Sequence, residues 1–489
     1  MNLRKLRVAV AAVVLVAATL LFLDFSGTVH PLLGWLAKVQ LLPAIMAANV
    51  VVVVAVVALT LIFGRLYCSV ICPLGILQDL LARIGLKQKK NRYSYSSEKR
   101  IVRLAVLLAA TCLWSFAYFL DPYSIFGRIA TTLFAPVWQG LNNLLAWGAG
   151  AIDSYAFYAV PIHWAGWCLS AISVALFVVI AVLAYRNGRT WCNTICPVGT
   201  LLGYLARFSW LRPVIDTSKC NNCGLCARNC KASCIDAKNH AIDLTRCVVC
   251  FDCIDKCNRG AISYAPRRKK AVEAAPADAP KGEEKNNLSR RQFLAVSAAL
   301  TASAVATAQE QKVDGGLATL IDKKIPARKR AVVPAGSRSY KLFTKNCTAC
   351  QLCVAVCPNE VLRPSSKLER LMQPEMGFEK GYCRPECTKC SEVCPAGAIL
   401  PITREEKSSE QIGHAVWVRE NCLAVEGVKC DNCARHCPTG AIQMVEKDGK
   451  RIPAVDTEKC IGCGACENLC PARPFSAIYV EGNEVHRTL

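Results

Sequence analysis

The sequence predicts an α-helical membrane domain of about four spans, built as two repeated hairpins, joined to small α+β domains organised around cysteine. Three observations predict it. Hydrophobic residues make up 53% of the 489, and they concentrate in about the first 210 positions. One short motif occurs twice within that apolar half. Finally, the chain holds 31 cysteines, most of them at fixed short spacings.

Four stretches are apolar enough to span a bilayer, which takes about 20 residues. They are residues 8–23, 44–63, 101–120 and 165–185. Arg4, Lys5 and Arg7 put the N-terminus in the cytoplasm, and a basic loop with Lys87, Lys89, Lys90, Arg92, Lys99 and Arg100 puts the second exit there too. Four crossings then return the chain to the cytoplasm after Tyr185. Residues 131–161 would lie outside, as an interfacial or re-entrant segment. The net charge of +23 belongs to these flanks and to linkers, since residues 341–489 carry 19 Lys and Arg against 19 Asp and Glu. It is a topology signal and not a mark of a nucleic-acid partner.

The repeat reads GRLYCSVICPLG at 64–75 and GRTWCNTICPVG at 188–199. Each copy follows the cytoplasmic exit of a hairpin, so two related hairpins present matching pairs, Cys68/Cys72 and Cys192/Cys196. At i,i+4 in a helix both thiols of a pair share one face. Pro73 and Pro197 suit the first turn of the next helix. The four cysteines are candidates for a metal, a further cluster or a thiol relay; the alternative is small packing residues at a helix junction.

Residues 213–265 form a cysteine-dense module. It reads Cys220-x2-Cys223-x2-Cys226-x3-Cys230 and then Cys247-x2-Cys250-x2-Cys253-x3-Cys257. Three closely spaced thiolates reach three irons of one cubane, and the fourth, expected at the start of a helix, serves the neighbouring cluster, as in two-cluster bacterial ferredoxins. The implied sets are Cys220, Cys223, Cys226 with Cys257, and Cys247, Cys250, Cys253 with Cys230. Zinc ribbons use two pairs and not an even quartet. Lys231 and Asn258 stand where proline usually follows the fourth cysteine.

Residues 341–489 carry four more quartets: Cys347/Cys350/Cys353/Cys357, Cys383/Cys387/Cys390/Cys394, Cys422/Cys430/Cys433/Cys437 and Cys460/Cys463/Cys466/Cys470. Each ends in Cys-Pro, the fuller form of the bacterial ferredoxin run. Six [4Fe–4S] clusters are therefore expected. Adjacent pairing puts Cys394 on the first cluster of this domain, Cys357 on the second, Cys470 on the third and Cys437 on the fourth; nested pairing is the alternative. Ala398-Ile399 and Ala441-Ile442 resemble the short strand that closes a ferredoxin lobe. Cys112, Cys168 and Cys234 fit no pattern and read as packing residues. His30 and His163, near the expected outer face, are candidates to contact quinone or haem.

Residues 266–288 are an Ala/Pro/charge-rich linker with no periodicity. At 289–308, Ser289-Arg290-Arg291-Gln292-Phe293-Leu294, a moderately apolar run and Ala306-Thr307-Ala308 read as a Tat export signal, with a fifth span as the alternative. Residues 309–340 are a second linker. The module at 213–265 is then cytoplasmic and the domain at 341–489 periplasmic, in a multi-pass inner-membrane protein.

The paired GRxxCxxxCPxG motifs with their following two-cluster module resemble the NapH family of quinol-oxidising membrane ferredoxin-type proteins. SRRQFL and the four quartets resemble the NapG family of Tat-exported polyferredoxins. The chain looks like a fusion of both. That resemblance implies oxidation of menaquinol or ubiquinol and delivery of electrons to a periplasmic reductase or cytochrome partner, as beside periplasmic nitrate reductase. The protein would be an electron-transfer subunit without a substrate-level active site of its own. Two other functions fit the residues: a maturation or redox-maintenance factor for a periplasmic metalloenzyme, and a thiol-based membrane redox sensor.

Overall fold

A computed structural model of the chain describes residues 3–267 and 321–489, apart from 26, 89–92, 97–98, 113, 155, 163–165 and 448. The export signal at 289–308, His163 and all but the first two residues of the linker at 266–288 lie outside the described residues.

Two described helices are long and apolar enough to cross a bilayer, Leu3–Leu23 and Trp167–Asn187, 21 residues each. At 1.5 Å per residue each is about 31 Å long, the thickness of a hydrocarbon core. The helical order is α1 (Leu3–Leu23), α2 (Val50–Phe63), α3 (Tyr67–Val70), α4 (Pro73–Gln88), α5 (Arg100–Cys112), α6 (Trp114–Leu120), α7 (Pro122–Ile129), α8 (Ala135–Gly150), α9 (Trp167–Asn187), α10 (Thr190–Thr194) and α11 (Pro197–Ala206). The stretch expected to span at 44–63 is divided. A helix over Leu41–Met46 ends, and the Asn49 side chain accepts from Val52 N to start α2 afresh.

The repeat shapes the chain identically twice. Gly64 and Gly188 end α2 and α9 at φ of 73° and 69°, a conformation that costs a glycine little. Cys68 and Cys192 sit in the short helices α3 and α10, and Pro73 and Pro197 begin α4 and α11. The cysteines of a pair therefore do not share one helix face, because the chain turns between them.

Asp121 caps α7, accepting from Ser124 N at 2.8 Å, and every residue of α7 is buried. A π-helical turn over Ala130–Phe134 joins α7 to α8. Val137, Leu141, Leu144 and Trp147 of α8 are exposed.

The 213–265 module is framed by β1 (Leu211–Ile215) paired antiparallel with β4 (Ile262–Pro266), around an inner pair β2 (Ile235–Asp236) and β3 (Ala241–Ile242). The end of the chain repeats this plan. There β7 (Glu410–Trp417) pairs with β10 (Ile478–Thr488) around β8 (Ile442–Lys447) and β9 (Lys450–Val455), while β5 (Leu362–Pro364) and β6 (Pro374–Met376) form the inner pair between the first two quartets of the domain. In each lobe the third cysteine lies in the short helix and the fourth follows it, as Cys226 lies in Leu225–Arg228 and Cys230 comes after. The expectation of a fourth cysteine at a helix start is thus corrected; it follows the end of a short helix of four or five residues. Ala398 and Ile399 are buried bends and not a strand, because Leu400 N bonds Gly336 O. Residues 321–340, expected as linker, belong to the domain: Val332 is fully buried and accepts from Met376 N.

The two cysteine-rich regions occupy opposite ends of both long helices. At the start of α1, Arg4 pairs with Asp252 and Asp255 of the first module. At its end, Phe22 packs on Gly127, which touches the backbone of Cys350. In α9, Leu169 packs with Ala349 and Met372, while Gly188 at the other end lies against the backbone of Lys231.

Candidate metal centres

None of the 31 cysteines forms a disulfide. Among the described residues no group of three or more His, Cys, Asp or Glu is arranged to hold a single metal ion. Instead, thiols surround small, nearly closed cavities. Cys247, Cys250, Cys253 and Cys230 line one of about 20 Å³. Cys383, Cys387, Cys390 and Cys357 line one of about 30 Å³. Cys422, Cys430, Cys433 and Cys470 share a third, and Cys460, Cys463, Cys466 and Cys437 a fourth. Each combines three cysteines of one quartet with the fourth of its neighbour. Nesting would require Cys357 to leave Cys383, against the β5–β6 pairing that joins them.

Cys347, Cys350 and Cys353 interact electrostatically with Cys394 in the same manner. Cys226 lies beside Cys220 and Cys223, and the Cys257 thiol accepts from Ala261 N at 3.2 Å. Burial pushes the thiols up, Cys350 to about 12 and Cys433 and Cys463 to about 11. Thiols this reluctant to ionise alone become thiolates when a metal centre supplies positive charge, since coordination deprotonates cysteine. Four converging thiols and apolar walls fit an iron–sulfur cubane.

Cys234 is buried with Cys230, Ala232 and Ile235 in a small apolar cluster. Its Sγ lies 3.6 Å from Cys230 Sγ, and this hydrogen bond draws the Cys230 thiol down. Cys112 and Cys168 are exposed, because they face outward from α5 and α9. His30 is held by Asp24 at 3.1 Å within its own loop.

The residue in the proline position, Lys231, explains itself here. It is buried, 3.1 Å from Asp79 and 2.9 Å from Asp252. Asp79 also takes Arg7 at 2.8 Å and Arg189 at 2.7 Å. Burial would raise the Asp79 carboxyl, but Arg189, Lys231 and Arg7 outweigh it and hold the group well below the usual carboxylate range. The departure from proline at 231 was the one sequence signal of this junction; Asp79 gave none.

At the other end, a cavity of about 1020 Å³ lies between the helices and the 321–489 domain. Phe22, Thr131 of the π-turn, Trp167 and Leu169 line its helical side, and Gln351, Cys357 and Glu379 its other wall. Gln351 Oε1 and Glu379 Oε2 are buried acceptors without a hydrogen-bond partner among the described residues.

Paired antiparallel strands around cysteine-lined cavities, in two separate regions, define a ferredoxin-type iron–sulfur protein. A 4Fe–4S binding domain matches the chain twice, at 45–91 and 169–216, and a 4Fe–4S dicluster domain matches 428–473. The methylamine utilization ferredoxin-type protein MauM of Methylobacillus flagellatus is 34% identical over 168 residues, 32% of this chain and 70% of that protein. MauM of Paracoccus denitrificans is 34% identical over 172 residues, 32% and 73%. YccM of Escherichia coli, provisionally named an electron transport protein, is 24% identical over 229 residues, 44% and 55%. The chain belongs to the MauM family of ferredoxin-type proteins, and its role is iron–sulfur electron transfer.

Proposed function

We propose that this chain is a multi-pass membrane electron-transfer protein that oxidises quinol and delivers the electrons to a periplasmic reductase or cytochrome. The nitrate-reductase-like system of the family resemblance is one such acceptor. The six cysteine sets named above are the proposed ligands of six [4Fe–4S] clusters, two on the cytoplasmic face and four outside, with four spans between. Such clusters take up and release single electrons with little rearrangement.

The observation that carries the quinol reading is the large cavity at the seam. It is mostly apolar with a few convergent polar groups, as ligand sites are. It opens beside α8, whose exposed Leu and Trp side chains suit a membrane interface. A π-turn borders it, a feature frequent at functional sites. Its two unpartnered buried acceptors, Gln351 Oε1 and Glu379 Oε2, suit the two hydroxyls of a quinol. Oxidation releases two electrons and two protons; Glu379, whose other oxygen pairs with Arg363 at 3.2 Å, and Cys357, a cluster ligand, both border the cavity.

Anaerobic membranes titrated with a quinol and followed by EPR test this. Signals of the C-terminal clusters should appear, and Gln351→Leu should slow their appearance at least tenfold without changing their line shape. Clusters that dithionite reduces but quinol does not would sink the reading.

A further inference from the structure

We propose that Cys68, Cys72, Cys192 and Cys196 together hold one further iron–sulfur cluster, built across the repeat and lying between the two cysteine-rich regions. This deepens the electron-transfer reading and rests on it, because it supplies the step between the two faces.

Each stretch matched by the 4Fe–4S binding domain contains only two cysteines, half a ligand set. The fold makes up the other half by swapping arginines. Arg189 Nη1 donates to Cys68 O at 2.6 Å, and Arg65 Nη2 to Cys192 O at 3.2 Å. The glycines closing the motifs are required by the same contact. A Cβ on Gly75 would lie 2.3 Å from Cys68 O and 2.9 Å from Arg189 Nη1; on Gly199, 2.2 Å from Cys192 O and 2.9 Å from Arg65 Nη2. All four cysteines are buried, and each interacts electrostatically with the other three. Gln78 Nε2 reaches Cys192 Sγ at 3.3 Å, and Gly199 N reaches Cys196 Sγ at 3.3 Å.

The charges argue for an anionic centre. Arg65 is fully buried, yet its described partners are all neutral: Asn193 Oδ1, Thr245 O, Cys192 O and the Cys68 thiol. A buried cation without a counter-charge is costly. Arg65 Nε and Arg189 Nη2 remain buried donors without a partner. Four thiolates around a cluster supply the missing negative charge. Four neutral thiols do not.

The position suits a bridge. One apolar core includes Cys250 of the first module, Cys68, Cys72 and Cys196, Tyr67 and Tyr123, and Cys350 and Cys353 of the C-terminal domain. One electron enters from one side and one leaves to the other; the cluster gains and loses a single negative charge, and no bond or proton is exchanged. The immediate reductant is a C-terminal cluster that the proposed quinol has reduced, and the oxidant is the first module.

The test is iron and acid-labile sulfide in anaerobically purified full-length protein. Changing all four cysteines to alanine should remove about four irons and four sulfides per chain, with the remaining cluster signals intact. Arg65→Gln leaves the cysteines in place and should move one EPR signal to lower potential, because a positive charge beside the reduced centre is gone. Unchanged iron in the alanine variant, or loss of zinc instead, overturns the proposal, as does an Arg65→Gln protein with every potential unmoved. Quinol reduction of the C-terminal clusters in the same membranes is read separately, so failure of the quinol reading leaves this result standing.

Discussion

The two iron–sulfur regions are held to the helical domain by different physics. The first module docks through charge: Arg4, Arg7, Asp79, Arg189, Lys231 and Asp252 form one connected set. The C-terminal domain docks through close packing. Gly127 lies directly against Cys350 O, Phe22 packs beside it, and Tyr118, Leu169, Ala349 and Met372 form a shared apolar cluster. Arg128 crosses this second seam but bonds only backbone carbonyls there, Ala349 O at 3.3 Å among them. A charged seam tolerates mutation poorly at its centre and well at its rim. A packed seam is sensitive to volume instead, so each can be broken without the other.

Asp79→Asn should have the largest effect. It leaves Arg7, Arg189 and Lys231 buried around a neutral amide, and removing one partner of a buried ion set costs about 3–5 kcal/mol. Limited proteolysis should then cut the 213–265 module while the C-terminal domain stays protected. The same carboxylate fixes a pH dependence. Its pKa is lowered in the folded protein, so its contribution is complete above the unfolded value of about 3.9. It is lost only as pH falls through the lowered folded value. Docking of the first module should be indifferent to pH from neutrality to about 5, and salt should weaken it little because the charges are buried.

Gly127→Ala comes next and attacks the other seam. An added Cβ would lie 2.1 Å from Cys350 O and 2.9 Å from the Phe22 ring. Overpacking of this kind costs about 1–3 kcal/mol. The expected pattern is the reverse: the C-terminal domain becomes susceptible to protease and the first module does not. If both variants expose both regions, the seams are one cooperative unit and the comparison fails.

What could be read from sequence follows the same division. The quartets were legible because their ligands are local, with two or three residues between neighbours everywhere but the seven between Cys422 and Cys430. The repeat was legible because both copies preserve their glycines, arginine, cysteines and proline. Which fourth cysteine serves which site was legible in part: the cavities follow the adjacent pairing expected first, but nesting stayed open because Cys470 meets Cys422 only through the pairing of β7 with β10. The expected span at 44–63 overstated regular helix, because apolar composition does not register the restart that Asn49 imposes. The counter-charges were the least legible. Arg4 read as a topology signal, yet its partners Asp252 and Asp255 lie some 250 residues away, and no local pattern couples them.

Arg4 also gives the smallest predicted effect and the most discriminating one. Its side chain is 30% exposed, against 5% for Arg7 in the same charged set. An exposed pair is worth about 0–1 kcal/mol and is screened by salt. Arg4→Ala should therefore weaken docking of the first module slightly at low ionic strength and have no measurable effect at about 0.5 M salt, where the Debye length is only a few ångströms. Hydrogen exchange of the segment around Asp252, compared at two salt concentrations, reads this directly. Loss as large as that of Asp79→Asn would show that the rim and the centre of the charged seam act as one, leaving apolar packing as the only seam that resists a single substitution at its edge.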